Sequence, residues 1–81
     1  MPRFHFHIVE DERVVKDEEG QEFSEDEAVR REAVETGASI ARDAFIQGSA
    51  SRVIVDVRSG EKQFFKVTIS LTVEDETSFR P

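Results

Sequence analysis

A chain of 81 residues with a formal net charge of −7 has room for one domain, one sheet and one helix. Its 37% hydrophobic content is low, yet it holds seven Phe in periodic blocks, which argues against wholesale disorder and leaves a thin core with little space for a deep substrate cleft. With no Cys there is no disulfide, thiol catalysis or thiolate zinc, and no apolar run approaches the length of about 20 residues that spans a bilayer.

The N-terminus, Met1-Pro2-Arg3-Phe4-His5-Phe6-His7-Ile8-Val9-Glu10, alternates in polarity instead of forming a signal-peptide core. A soluble, unprocessed, cytoplasmic chain with no membrane association is therefore expected. Residues 2–9 read as a half-buried strand with Phe4, Phe6 and Ile8 on one side and Arg3, His5, His7 and Val9 on the other. A polar turn, Glu10-Asp11-Glu12-Arg13, leads to a weak second strand around Val14, Val15 and Lys16, although its like charges work against a tight turn. Asp17-Glu18-Glu19-Gly20 ends that strand, with Gly20 free to take a positive φ.

The acidity is concentrated here. Residues 10–27 carry ten acids against Arg13 and Lys16, a local charge of −8, so the rest of the chain sums to +1.

Ser24-Glu25-Asp26-Glu27 has the spacing of a capping box, with Phe23 and Ala28 placed for a hydrophobic staple. The helix that follows carries Val29, Ala33, Gly37, Ile40, Ala41, Ala44 and Phe45 as one apolar stripe, and Gly48 suits its end. Gly37 costs about 1 kcal/mol relative to Ala in mid-helix, a cost best explained by close approach of helix and sheet.

Two further strands follow. Val53, Val55 and Val57 alternate with Arg52, Ile54, Asp56 and Arg58, and Ser59-Gly60 turns the chain. The last strand runs through Phe65, Val67, Ile69, Leu71 and Val73, alternating with Phe64, Lys66, Thr68, Ser70 and Thr72. Residues 1–73 thus read as a single α+β domain of order ββαββ and residues 74–81 as a loose tail. A right-handed crossover gives a four-stranded antiparallel sheet of order 2-1-3-4 with the helix packed on one face.

Met1-Pro2-Arg3-Phe4-His5-Phe6-His7, then Asp17-Glu18-Glu19-Gly20, then Glu22-Phe23 leading into a helix with Ala28 and Ala33, resembles a family of short proteins of rhizobia and related alphaproteobacteria. That family is known as domain of unknown function 6894. The resemblance covers residues 1–33 and loosens beyond; His5 stands where the family usually has an aromatic. It implies a small α+β domain in a bacterial cytoplasm and brings no activity with it.

Chemistry-bearing patterns are sparse. His5-x-His7 puts two imidazoles on one strand face about 7 Å apart, but a metal site needs a third ligand, which Asp56 or a residue of the last strand would supply only by chance of register. Asp17-Glu18-Glu19-Gly20 fails the EF-hand pattern, and its carboxylates suit a solvated edge that resists strand-to-strand aggregation. No nucleophile elbow, P-loop or dinucleotide fingerprint is present, so neither an enzyme nor a cofactor is expected.

The sheet face opposite the helix is more informative. It would show Val9, Ile54 and Phe64 as an apolar centre, rimmed by Arg52, Arg58 and Lys66, with His5 and His7 beside them. The expected function is a non-enzymatic interaction or accessory protein that self-associates through this face or the last edge strand, giving a homodimer or taking a protein partner. The alternatives are a single-stranded nucleic-acid platform, with Phe64 and the histidines stacking bases, and an acidic antitoxin-like mimic. A net charge of −7 opposes the approach of a polyanion.

Overall fold

The computed structural model describes residues 2–75. Its elements in chain order are β1 (Arg3–Glu10), β2 (Arg13–Val15), β3 (Gln21–Glu22), α1 (Asp26–Gln47), β4 (Arg52–Ser59) and β5 (Lys62–Ser70). All pairings are antiparallel, and the sheet order is β2-β1-β4-β5 with β3 also on β1. The fold is therefore α+β with one helix on one sheet, as the sequence pattern required. The expected ββαββ order with four strands needs one correction. Gln21 and Glu22 pair with Phe4 and Arg3, so a fifth short strand shares the outer edge of β1 with β2. Two residues without apolar periodicity gave no strand signal.

Alternation in β1, β4 and β5 places Phe4, Phe6, Val53, Val55 and Val57 under α1, and Val29, Val53, Val55 and Val57 have no exposed surface. Complete burial of a valine contributes about 1.5–3 kcal/mol, so the three valines of β4 are the centre of the core. The helix meets them with small residues: Ala33, Gly37, Ala41 and Ala44 are buried, whereas Ile40 and Phe45 of the expected stripe are only half-buried. A Cβ on Gly37 would sit 3.0 Å from Val55 Cγ2 and 3.2 Å from Ile69 Cδ1, which is the close approach expected of this glycine.

The helix ends as its sequence suggests and starts differently. Gly48 takes φ 74°; its N–H reaches Phe45 O, and Ser49 N–H donates to Ala44 O at 3.0 Å, a Schellman closure. At the start the N-cap is Glu25 with no side-chain cap bond, so the expected Ser24 capping box does not form. Phe23 explains the shift. Its N–H donates to Pro2 O at 3.2 Å and its ring packs on Phe4 and Phe6, so the chain is still sheet-like one residue before Ser24.

The last strand stops at Ser70, short of the expected Val73, which is 78% exposed. Residues 76–81 of the expected tail lie outside the described residues. Among the described residues no helix is long and apolar enough to cross a membrane.

Candidate functional site

The face of the sheet away from α1 is assembled by register. Val9 pairs with Val14 on one side and Ile54 on the other, and Ile54 pairs with Thr68, so an apolar row crosses β2, β1 and β4 and ends on a threonine of β5. The next rows are polar: His7, Asp56 and Lys66 stand in line, then His5, Arg58 and Gln63. Arg52 lies at the far end opposite Ser70. Of the residues singled out from the sequence, Val9, Ile54, Arg52, Arg58, Lys66, His5 and His7 thus share one face.

Phe64 does not join them. The ladder between β4 and β5 shifts register at Val57/Arg58, so that Val57 pairs with Phe65 and Arg58 with Gln63, leaving Phe64 as the inserted residue of a bulge. Its ring lies 5.1 Å from Phe4 and 5.4 Å from Phe65, both members of the helix-facing set. Strict alternation placed Phe64 on the open face; one extra residue in the ladder turns it onto the other.

The two histidines hold the acidic loop. His5 Nδ1 donates to the Asp17 carbonyl at 2.9 Å, and Asp17 N–H donates to His7 Nδ1 at 3.0 Å, so Nδ1 bears a proton on His5 and none on His7. The Asp17 carboxylate accepts Phe6 N–H and Gly20 N–H, each at 3.0 Å. Asp17 thereby fills the stretch of the outer edge of β1 that lies between its pairings with β2 and β3. Burial raises the Asp17 carboxyl, but the Phe6, Gly20 and Glu19 amides and the His5 charge outweigh it and hold the group below its ordinary value. Gly20, at φ 72°, closes against Phe4 O and the His5 ring, where a Cβ would come within 2.9 Å.

Asp11 plays a similar part at the other end of β1. At φ 53° it makes the tight turn into β2, and its carboxylate accepts the N–H groups of Ser51 and Arg52, each at 3.1 Å. These bonds offset the like-charge repulsion that counted against the turn.

On the open face Asp56 is paired. Arg58 Nε donates to it at 3.2 Å and Gln63 Nε2 at 2.9 Å. Desolvation raises its carboxyl, and the bonds from Gln63 and Arg58, with the Arg58 charge, outweigh that and lower it. With Asp56 neutralised, Arg52, Lys66 and Lys16 set the sign of the face. A shallow hollow beside them is lined by His7, Val9, Val14, Lys16, Asp56 and Arg58. Among the described residues no three His, Asp or Glu side chains are grouped to hold a metal ion.

Residues 3–70, which run from the first residue of β1 to the last of β5, match a family described as domain of unknown function (DUF6894). The chain belongs to the DUF6894 family. Its resemblance at sequence level rested on residues 1–33, and the family match extends through α1, β4 and β5. In this DUF6894 chain the motif residues Asp17, Gly20, His5 and His7 form one hydrogen-bonded unit that fastens the acidic loop to β1. No curated protein and no solved structure matches the chain.

Sequence reasoning missed Asp11 and Asp17 as structural residues because they sit inside an acidic run that reads as a solvated surface. The available signal was positional: each lies where a strand ends, and short carboxylates are favoured there because they reach nearby backbone N–H groups.

Proposed function

We propose that this DUF6894 chain is a non-enzymatic protein-interaction domain that self-associates, with the uncovered sheet face and the free edge of β5 as its working surfaces. The observation that carries self-association is the unpaired outer edge of β5, beyond which no strand lies among the described residues, while the apolar row Val14, Val9 and Ile54 crosses three strands on the face that α1 leaves open. The rim of that row is basic, so the face suits an acidic protein surface, and two copies laid face to face would oppose like charges. Self-association then falls to the edge. The resemblance adds a bacterial, alphaproteobacterial cytoplasm as the setting.

Phe64 lies on the helix side, so of the rings expected to stack bases only His5 and His7 remain on the open face. Light scattering after size exclusion tests the proposal. A mass near 18 kDa, two copies of 9.2 kDa, is expected at high concentration and should fall on dilution. A mass of 9.2 kDa throughout would overturn self-association.

A further inference from the structure

We infer that β5 pairs along its free edge with β5 of a second copy, antiparallel about a two-fold axis at Thr68, making one continuous sheet. The inference rests on the self-association reading and names its surface. Leu71 N–H donates to Ser51 O at 2.9 Å, and this fixes the phase of the ladder. In an antiparallel pair alternate residues turn their N–H and C=O to opposite sides, so Val67 and Ile69 bond to β4 while Lys66, Thr68 and Ser70 point outward. Among the described residues no strand lies beyond β5. The outer edge of β1 is closed by β2, Asp17 and β3; the outer edge of β5, nine residues without a proline, is open.

The edge is self-complementary. Pairing at Thr68 sets Val67 opposite Ile69 and Phe65 opposite Leu71 of the other copy under the helices, and Lys66 opposite Ser70 on the other face. No charge meets its like. The helices fit as well. α1 lies over β4 and β5 rather than β1, and neighbouring strands are about 4.8 Å apart. The two-fold therefore sets the two helices side by side on one face, with their axes about 10–14 Å apart according to whether α1 lies midway between β4 and β5 or over β4. The flank that would meet the other helix carries Val34, 48% exposed, among Glu27, Arg31 and Glu35 and one turn from Arg30, whose guanidinium sits 5.1 Å over the Phe65 ring. Leu71, 40% exposed, adds a second apolar side chain beyond the end of the strand. A second copy thus supplies the missing hydrogen-bond partners and apolar cover for Val34 and Leu71.

Residue-resolved amide exchange, combined with light scattering, tests this. At a concentration that gives two copies, the Lys66, Thr68 and Ser70 amides should be protected and should lose protection on dilution, while Val67 and Ile69 stay protected throughout. Thr68→Pro removes an outward donor that the single chain does not use, so it should give a mass of 9.2 kDa with an unchanged circular dichroism spectrum. If that variant fails to fold, Thr68→Lys sets two like charges face to face at the axis and should also dissociate the pair. A dimer whose Lys66, Thr68 and Ser70 amides exchange freely, and which Ile54→Asp dissociates, would overturn the edge pairing and keep self-association. A single copy at every concentration would remove both.

Discussion

Asp17 shows how a carboxylate in an acidic run can be structural. Without it, Phe6 N–H would face the gap between β2 and β3 with no acceptor, and Gly20 N–H would lose its partner in the turn. Asp17→Ala should therefore lower stability by about 1–3 kcal/mol in denaturant titration, the cost of leaving such groups unpaired. A neutral effect would mean that water replaces the carboxylate freely. The pH dependence follows from the same contacts. A carboxyl whose value is lowered on folding stabilises the native chain above its unfolded value of about 3.9 and loses that contribution as the pH falls through the native value. Asp17 and Asp56 both behave this way. Thermal midpoints should hold near neutral pH and drop below about pH 4, and Asp17→Asn should flatten the drop. Gly37 is a residue-scale case of packing. Ala would gain about 1 kcal/mol in helix propensity, but its Cβ would press on Val55 at 3.0 Å. Val55 is fully buried and has nowhere to move, so Gly37→Ala should lower the thermal midpoint.

At the scale of elements, the parts legible in the sequence were those set by one local rule. Alternation in β1 and β4 named the core residues Phe4, Phe6, Val53, Val55 and Val57, and Gly48 marked the helix end through its left-handed conformation. The parts that were not legible depend on partners distant in the chain. β3 exists because Gln21 and Glu22 meet Phe4 and Arg3, and Ser24 is displaced from the cap because Phe23 is held by Pro2, Phe4 and Phe6. The bulge at Phe64 is the sharpest example, since one inserted residue reverses the face of a side chain while the polarity pattern on either side stays intact. The candidate site was legible to the same degree: seven of its eight residues follow alternation, and the eighth is the bulge. Phe64→Asp tests that placement. Placed against Phe4 and Phe65, the charge should cost about 1–3 kcal/mol in stability through loss of apolar contact and desolvation of the carboxylate. An unchanged melting temperature would return Phe64 to the solvent side.

For the whole molecule, charge and apolar surface are arranged by direction. The acidic run winds along the β1 edge through β2, the Asp17 loop and β3, the open face is basic, and β5 is bordered by Val34, Phe65, Val67, Ile69 and Leu71. Association at β5 and association at the open face therefore respond differently to salt. In the Thr68 register the two β5 strands set no ion pair against each other, while each copy carries a net −7 that opposes approach. At 0.1 M salt the screening length is about 10 Å, and at 1 M about 3 Å, so added salt removes the repulsion and leaves the strand hydrogen bonds and apolar contacts in place. The dimer fraction measured by sedimentation should hold or rise between low and high salt. An acidic partner on the basic face should dissociate over the same range, because its attraction is the part that salt screens. A self-association that weakens as salt is added would place the contact on the charged face and leave the edge of β5 unpaired.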